Sequence, residues 1–414
     1  MMKNEPMNRR DFLKNAAGAG IVAAITSGSV LAAAIDPNKP AEPNKPAAKA
    51  ETYPQVPTRK FGRANIQIPA LSFGAMFDIM ENQILLHKNL QWGINYWDTA
   101  YGYNGGRSEE GIGQFLAQNP QRRKDIFIVT KASGANDSAS RSQRLQESLK
   151  RMNTDYVDLY YGIHGLSDPV GLTDDVKQWA ADAKAKGLIK YFGFSTHQNM
   201  ASCLMAASKL DWIDGIMTCY NFRLMKDANL SAAVDACYKA GIALIAMKVQ
   251  AMGSDIDNSN SMDHHFLEKG YTQGQAKIKI VLQDERICSA CVTMKSVATL
   301  TSNVAAVLDK TELTQGDLDF MDSFAKQTCS SYCSGCSNIC AAAVPRMPYV
   351  NDVMRSLMYH RKYGDTKLAK EVFSSVATRI GAPLGSFDYR LAEKLCPNQM
   401  PIASLVSQAE KLFA

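Results

Sequence analysis

The chain has 414 residues, of which 46% are hydrophobic and 21% are charged, and this composition is typical of a globular protein with more than one structural region. Four basic and two acidic side chains in the first 34 residues supply +2 of the formal net charge of +6, which leaves the rest of the chain nearly balanced. No basic run with interleaved aromatic side chains occurs, so we expect no nucleic-acid partner.

The first 34 residues predict an export signal that is not part of the fold. The segment Asn8–Lys14 carries two consecutive arginines in a twin-arginine pattern, and a weakly apolar stretch rich in Ala and Gly runs from Ala16 to Ala34. This stretch holds too many small and hydroxylated residues to span a bilayer well, so we expect a cleaved signal and no stable membrane span after cleavage. The pattern predicts the twin-arginine export machinery as a partner and a periplasmic or otherwise exported protein. Residues 35–57 contain six prolines and predict an extended linker.

From residue 58 to residue 312, short apolar strand-like runs alternate with longer amphipathic segments such as Ser142–Met152 and Asp174–Ala185. The eight runs are Ile68–Ala75, Ile94–Trp97, Ile126–Thr130, Val157–His164, Tyr191–Phe194, Gly215–Tyr220, Ile242–Met247 and Ile287–Thr293. Eight β runs with helical spacers over roughly 250 residues predict an α/β fold, the (β/α)8 TIM barrel. Residues 313–414 predict a mostly helical, Cys-rich C-terminal extension.

Four polar residues lie at or just past the C-terminal ends of successive strand-like runs: Asp98, Tyr103, Lys131 and His164. In a parallel α/β barrel these strand ends are where catalytic groups collect. Carbonyl reduction needs a hydride on carbon and a proton on oxygen, and a phenol gives that proton more readily when a nearby ammonium lowers its pKa. We therefore predict Tyr103 as the general acid–base and Lys131 as the group that lowers its pKa. Asp98 would hold Lys131 in place, and His164 would donate to the substrate carbonyl oxygen.

The order of these four residues and their separations of 5, 28 and 33 positions resemble the catalytic tetrad of the aldo-keto reductases. The resemblance covers the whole barrel region. It implies an NAD(P)-dependent oxidoreductase that interconverts an aldehyde or ketone, sugar-derived substrates included, and the corresponding alcohol. The alternative from the residues alone is a buried salt bridge, a strand-end histidine and a loop tyrosine that share no function.

The same resemblance implies a set of cofactor-binding residues: Gly74, Ser195, Thr196, Met217, Met247, Lys248, Lys295, Ser296 and Asn303. Ser195 and Thr196 fall on the motif that holds the nicotinamide carboxamide, although Thr196 replaces the usual asparagine. The residues after the last strand would meet phosphate and adenine. For Met217 and Met247 core packing is an equal alternative, since a thioether pads a ring less rigidly than an aromatic side chain. Thr299 takes the position of an arginine that often clamps the 2′-phosphate, so NADP and NAD both stay open.

Four of the ten cysteines crowd into the pattern C-x3-C-x2-C-x3-C: Cys329, Cys333, Cys336 and Cys340. Such dense spacing suits an iron–sulfur cluster, because short loops let several thiolates converge. The segment that follows resembles the tail of bacterial aldo-keto reductases with a twin-arginine signal and a ferredoxin-like cysteine motif, whose last cysteine falls on Val344 here. Valine cannot ligate iron, so either Cys329 supplies the fourth ligand of a [4Fe-4S] cluster or the site has decayed. Two disulfides and a zinc site remain alternatives.

Two further hypotheses come from other classes of protein. A non-catalytic binding or regulatory barrel would explain the departures from the family pattern at the cofactor positions. An electron-transfer protein would use the C-terminal iron–sulfur cluster. The intact tetrad favours the oxidoreductase, with a small carbonyl or alcohol substrate that no residue identifies. Free nicotinamide cofactor is scarce outside the cytoplasm, so an exported enzyme would carry its cofactor out tightly bound.

Overall fold

The computed structural model describes residues 53–251 and 259–414, without the side chains of residues 259 and 260. The predicted signal and residues 35–52 of the predicted linker lie outside the described residues. Residues 55–414 pack as one compact unit. Among the helices of the described ranges, none has the length and apolar character needed to cross a membrane.

Eight parallel strands close into a barrel and follow one another around it in chain order. An antiparallel hairpin, β1 (Thr58–Lys60) and β2 (Gln67–Pro69), precedes them. The barrel strands are β3 (Leu71–Gly74), β4 (Tyr96–Asp98), β5 (Phe127–Lys131), β6 (Val157–His164), β7 (Ile189–Thr196), β8 (Gly215–Cys219), β9 (Ala243–Met247) and β10 (Ser289–Thr293). Pairing of β10 with β3 closes the ring, and the predicted (β/α)8 barrel is confirmed.

Helices connect the strands on the outside of the barrel. They are α1 (Gln83–Gln91), α2 (Arg107–Gln118), α3 (Ser138–Arg151), α4 (Asp174–Ala185), α5 (Met200–Ala207), α6 (Ala228–Lys239), α7 (Ser259–Leu267), α8 (Gln273–Gln283) and α9 (Val297–Leu308). Short 3-10 turns occur at Tyr103–Gly106, Pro120–Asp125 and Pro169–Gly171. Polar side chains cap several of these helices; for example, Asp137 accepts from the amide of Ser140 at 2.7 Å and so satisfies a free donor of the first turn.

The hairpin closes the N-terminal end of the barrel. Its Phe61 is buried, with its ring 5.4 Å from that of Phe127 at the start of β5 and 5.1 Å from that of Tyr191. The sequence predicted one strand over Ile68–Ala75, whereas the structure divides this run between β2 and β3. The division falls after Pro69, which has no N–H to donate to a strand ladder.

The C-terminal extension is mostly helical, as predicted. Its helices are α10 (Gln315–Gln327), α11 (Ser337–Ala343), α12 (Val350–Tyr363), α13 (Thr366–Ile380), α14 (Arg390–Leu395) and α15 (Ile402–Phe413), with 3-10 turns at Cys329–Ser331 and Leu384–Ser386. Buried side chains such as Leu357, Phe373 and Leu405 join α12, α13 and α15 in a second hydrophobic core. Gly364, at φ 65°, ends α12 in the left-handed conformation that glycine adopts without a Cβ penalty.

The polar segment Ser254–Gly270, which holds His264 and His265, predicts a solvated loop from its sequence, but the structure has a helix within it. Residues 259–267 form α7, while residues 254–258 lie outside the described part of the chain. Met262 and Phe266 are completely buried and anchor the helix. The imidazole of His265 lies 2.8 Å from the Asp317 carboxylate, so it connects α7 to α10.

Candidate active site

Three of the four predicted catalytic residues end neighbouring strands. Asp98 ends β4, Lys131 ends β5 and His164 ends β6, and these strands pair directly with one another. Because the strands are parallel, their C-terminal ends meet on one face of the barrel. Tyr103 lies on the 3-10 turn directly after β4, and its ring centroid is 6.2 Å from that of His164. The structure therefore brings the whole predicted tetrad together.

A left-handed turn aims Tyr103 at this face. Asn104, Gly105 and Gly106 have φ values of 50°, 65° and 98°. A Cβ at Gly106 would come within 2.8 Å of the Arg151 guanidinium, so only glycine fits there. The Asn-Gly-Gly sequence after Tyr103 is thus what lets the chain reverse directly after the tyrosine.

Lys131 and Asp98 form a buried ion pair. The Lys131 ammonium donates to Asp98 Oδ1 and to the carbonyl of Thr99, each at 2.6 Å, and the two side chains are 1% and 4% exposed. Burial raises the pKa of Asp98 against the opposing pull of Lys131. Asp98 Oδ2 has no hydrogen-bond partner within the described residues. A charged lysine is therefore held in an otherwise apolar barrel by one carboxylate oxygen and one carbonyl.

The pKa of Tyr103 moves in the opposite direction to the prediction. Burial raises this pKa well above 10, and the Asp98 charge adds to the shift. Lys131 points its ammonium at Asp98 and Thr99 and presents it to the face of the tyrosine ring, 4.8 Å from the ring centroid. Its charge is largely compensated, so the predicted lowering is not found. Tyr103 is consequently a protonated acid at neutral pH, the form that carbonyl reduction requires.

His164 is held neutral and in one tautomer. Burial lowers its pKa to about 3, and the charges of Lys131 and Arg355 act in the same direction. Its Nδ1 lies 2.8 Å from the hydroxyl oxygen of Ser133, which itself accepts from the amide of Gly102 at 3.2 Å. In the tautomer that serves carbonyl reduction, the Ser133 hydroxyl donates to Nδ1 and the proton of the neutral ring sits on Nε2, where it is available to a carbonyl oxygen.

The extension forms a roof over the tetrad. Arg355, Tyr359 and Tyr363 lie four residues apart on α12 and so share one face of this helix. The ammonium of Lys248, just after β9, lies 4.6 Å and 4.8 Å from the ring centroids of Tyr359 and Tyr363. The charges of Tyr359 and Tyr363 act on Tyr103 and that of Arg355 acts on His164, so this face of α12 lies near the tetrad, and we call the space between them the catalytic cleft. The three roof residues and Ser133 were not predicted from the sequence; the four-residue spacing on a predicted helix was the available signal for the roof.

The predicted nicotinamide residues border this cleft. Ser195 is next to His164 in the β6–β7 register, and its Oγ accepts from the amide of Gly165 at 3.2 Å. Thr196 donates to the carbonyl of Gln198 at 2.8 Å. Met247 ends β9, partly exposed. The Ser195 hydroxyl, the Met247 thioether and the Lys248 ammonium lie around the tetrad. Together these groups fit a nicotinamide carboxamide and ring.

The predicted phosphate residues lie at the start of α9. Lys295 is exposed, and Ser296 caps the helix by accepting from the amide of Thr299 at 3.1 Å. A lysine beside the free amides of a helix N-terminus fits a phosphate group. Gly74 ends β3, where a Cβ would come within 3.1 Å of Val292. The residues beside the tetrad therefore fit the nicotinamide end of a dinucleotide, and those at the start of α9 fit its phosphate groups.

Two predicted cofactor residues are buried away from these groups. Met217, 2% exposed, packs in the barrel core with Tyr96 and Ile245, which is the packing role left open by the sequence. Asn303, 7% exposed, lies on the buried side of α9 rather than at its exposed start. For Asn303 an adenine contact needs the cofactor to reach that side of the helix.

The predicted metal ligands separate into two groups. Cys333, Cys336 and Cys340 line one cavity, which we call the cysteine cavity, and its fourth cysteine is Cys396. Cys329 lies on its own 3-10 turn and does not line this cavity, so the structure does not group it with the other three predicted ligands. Helix packing, not proximity along the chain, brings Cys396 in. The ten cysteines, all within the described ranges, are free thiols, and no three His, Cys, Asp or Glu side chains there are arranged around a single metal ion.

Comparison with known proteins agrees with the barrel. Residues 70–277 match the model of the aldo/keto reductase family. The chain is 33% identical over 152 residues to the uncharacterized oxidoreductase YqkF of Bacillus subtilis, a match over 33% of this chain and 48% of that protein. It is 23% identical to L-glyceraldehyde 3-phosphate reductase of Escherichia coli O157:H7, over 66% of this chain and 95% of that protein.

A solved structure of similar fold is that of the thermostable aldo-keto reductase Tm1743 in complex with the inhibitor epalrestat. It has a TM-score of 0.54 and 26% identity, and the match covers 64% of this chain and 98% of that chain. The chain spans about half the length of the Bacillus subtilis relative.

Proposed function

The chain belongs to the aldo/keto reductase family, and from that premise we propose that it is an NAD(P)-dependent oxidoreductase that interconverts an aldehyde or ketone and the corresponding alcohol. The observation that carries this proposal is the tetrad, in which a protonated phenol, a neutral imidazole and a buried ion pair meet at three strand ends. A lysine that is only 1% exposed beside Asp98, an acid whose pKa burial raises, is typical of a functional site.

The cleft residues divide the work of the reduction. When bound, the nicotinamide supplies the hydride that goes to the carbonyl carbon. His164 donates from Nε2 to the carbonyl oxygen and holds it near Tyr103. Tyr103 gives its phenolic proton to that oxygen, which completes the alcohol. Asp98 holds the Lys131 ammonium 4.8 Å from the tyrosine ring centroid, where the cation packs on the ring face and positions the phenol.

The roof supports a substrate that carries a negatively charged group. Arg355 forms an ion pair with Asp352 at its side, so the uncompensated positive charge comes from Lys248 between its two tyrosine rings. Cation–π contacts hold this ammonium in the cleft but do not neutralise it. The phosphorylated aldehyde named for the Escherichia coli relative has the chemistry that such a cleft would select.

Export belongs to the same proposal. The twin-arginine pattern at Asn8–Lys14 supports transport of the folded protein to the periplasm. An exported reductase needs a firmly held cofactor, and the roof of α12 over the cleft would slow its escape. Fractionation of cells that make the full chain, with Arg9→Lys and Arg10→Lys together as the control, measures this directly; a cytoplasmic wild-type protein would contradict it.

Replacement of the general acid tests the central proposal. Tyr103→Phe removes only the phenolic proton, and we expect turnover of a carbonyl panel with NADPH or NADH to fall about a hundredfold to ten-thousandfold. Tyr101→Phe is the matched control, because Tyr101 donates to Glu147 at 2.6 Å on the outer side of the turn. We expect it to keep most of the activity. Equal activity in wild type and Tyr103→Phe would show that the tetrad does not run this reaction.

The charge of the roof has its own test. Lys248→Met should lower the preference for an anionic over a neutral aldehyde of the same size by about tenfold, which corresponds to about 1.4 kcal/mol. Lys295→Met should instead weaken dinucleotide binding and leave the preference unchanged. If Lys248→Met weakens only cofactor binding, the lysine belongs to the cofactor site and the substrate proposal fails.

One observation favours a second candidate function, electron transfer. The cysteine cavity of the extension lies beside the same helix, α12, that covers the catalytic cleft. A metal cluster there would supply one-electron chemistry that the tetrad lacks. Negligible binding of NADH and NADPH by the purified protein would favour this function or a binding role over the reductase.

A further inference from the structure

We propose that the extension binds a [4Fe-4S] cluster through four cysteines that no single motif contains: Cys333, Cys336, Cys340 and Cys396. Cys396 replaces the last cysteine that the sequence motif lacks. This site is separate from the tetrad, and its existence does not depend on the reductase proposal.

The first three cysteines come from one short segment. Cys333 lies in the loop before α11, Cys336 is the residue at its N-terminus and Cys340 lies inside it. Gly335, at φ 82°, turns the loop between the first two. This local geometry points three thiols to one side, which is how a dense cysteine motif presents itself to a cluster.

The fourth cysteine comes from a distant part of the sequence. Cys396 directly follows α14, and together with Pro397 it lines the same cavity as the other three. The four thiols therefore face one enclosed space, where a bound cation would compensate the charge of the thiolates.

Hydrogen bonds hold the two ligand segments together. Asn398, two residues after Cys396, donates to the hydroxyl of Ser334 at 2.8 Å and to the carbonyl of Tyr332. Asn351 of α12 donates to the sulfur of Cys333 at 3.2 Å. Donors of this kind orient the ligands of a metal site and stabilise the negative charge on sulfur. The cavity thus has the outer contacts of a built site as well as its four thiols.

The position of the missing motif cysteine serves another purpose. Val344, 6% exposed, packs in the extension core with Met347 and Val350. A cysteine there is no longer needed once Cys396 reaches the cavity. Cys329, by contrast, precedes this region on a separate turn, near the guanidinium of Arg223.

The arrangement favours a cluster over a single zinc ion. Zinc needs four ligands about 2.0–2.3 Å from one centre, and no three metal-binding side chains in the described ranges converge in this way. In a [4Fe-4S] cluster each thiolate binds a different iron atom, so the four sulfurs stand around a cavity. Four thiols that line a cavity without converging on one point match the second case.

The proposal is tested on the full chain purified without oxygen. We expect about four iron atoms and about four acid-labile sulfides per chain, a broad visible absorption near the sulfur-to-iron charge-transfer bands, and a paramagnetic signal after reduction with dithionite. Cys396→Ser should reduce the iron and sulfide content several-fold. Cys329→Ser, the same change at a cysteine outside the cavity, should leave both unchanged.

Each other result decides against the proposal. Zinc without sulfide would show a mononuclear site, and metal-free protein with paired thiols after anaerobic purification and reconstitution would show disulfides. Loss of iron in Cys329→Ser but not in Cys396→Ser would show that Cys329, within the local motif, is the fourth ligand. If Cys396→Ser fails to fold, the metal and sulfide content of the wild type and of Cys329→Ser still decides. Tyr103→Phe should keep its iron, which separates a failure of this site from a failure of the reductase.

Discussion

The barrel and the extension build their sites in different ways. In the barrel, Asp98, Lys131 and His164 come from three consecutive strands, and the parallel fold itself places them together. In the extension, Cys396 joins three cysteines that lie more than fifty residues earlier, and only the packing of several helices brings it there. The site of a regular barrel can therefore be predicted from the sequence, whereas the site of an irregular helical layer cannot.

The two sites also handle charge differently. The tetrad lysine has its counter-ion in place, as the bond from Lys131 to Asp98 at 2.6 Å shows. In the extension, burial raises the pKa of Cys336 and Cys340, and the neighbouring thiols act in the same direction. We expect the barrel site to be formed before any ligand binds and the cysteine site to depend on its metal for stability.

The largest expected effect is on stability and comes from breaking the ion pair in the barrel. Lys131→Met removes the cation bonded to Asp98 and leaves a buried carboxyl without this partner. We expect the free energy of unfolding to fall by about 3–5 kcal/mol. The double variant Lys131→Met, Asp98→Leu should recover much of the loss, since it buries apolar groups in their place. Urea unfolding measures both, and no recovery in the double variant would show that the pair itself adds net stability.

The next largest effect comes from weakening the contact between the extension and the barrel. A Cβ at Gly335 would lie 2.2 Å from the carbonyl oxygen of His197, against the loop that follows β7. Gly335→Ala should therefore lower the unfolding temperature and the iron content together. Gly364→Ala is the matched control: it has a similar positive φ but nothing within 4 Å, so it should cost only the backbone strain of about 1–2 kcal/mol. Equal effects on iron in both variants would contradict a specific contact.

A smaller effect comes from Ser133, which holds the tautomer of His164. Ser133→Ala removes the hydrogen bond to Nδ1 at 2.8 Å and lets the ring turn or change tautomer. We expect kcat to fall about tenfold, equivalent to roughly one hydrogen bond, with little change in KM or in stability. Ser208→Ala, at an exposed helix end, should change neither. A loss confined to KM would assign Ser133 to substrate binding.

The pH dependence should be the weakest signal, because neither catalytic group titrates in the usual range. His164 has its pKa lowered to about 3 and Tyr103 has its pKa raised above 10, so the acid form of the tyrosine and the neutral histidine persist between these limits. We expect the reduction rate to stay constant from roughly pH 5 to pH 9. Alcohol oxidation needs the phenolate and should rise with pH throughout. A change in the reduction rate near pH 6.5 would show that the pKa of His164 is not lowered.

The sequence predicted the barrel and its tetrad because both depend on local patterns. Apolar runs gave all eight strands to within a few residues, and polar residues at their ends marked the catalytic face. The hairpin was missed because its second strand and β3 are separated only by Ala70, which left one continuous apolar run. The loop predicted around His264 was a helix, since its stability comes from buried Met262 and Phe266 rather than from sequence polarity.

The fourth cysteine of the extension site could not be predicted from the sequence, for a physical reason. Cys396 stands alone in its segment, and nothing nearby along the chain marks it as a ligand. The predicted direction of the Tyr103 pKa shift was also wrong, because the sequence could not show how deeply the phenol is buried, and burial is the main cause of the rise. Tertiary contacts, not residue types, decided both.

Helix α12 has a consequence for how the two halves of the molecule communicate. Asn351 near its start touches Cys333, and Tyr359 two turns later stands over Lys248. Eight residues of α-helix span only about 12 Å, and a helix this short is stiff. One short helix therefore carries residues of both sites, and a displacement of α12 at the cysteine cavity would also move the tyrosines above the catalytic cleft.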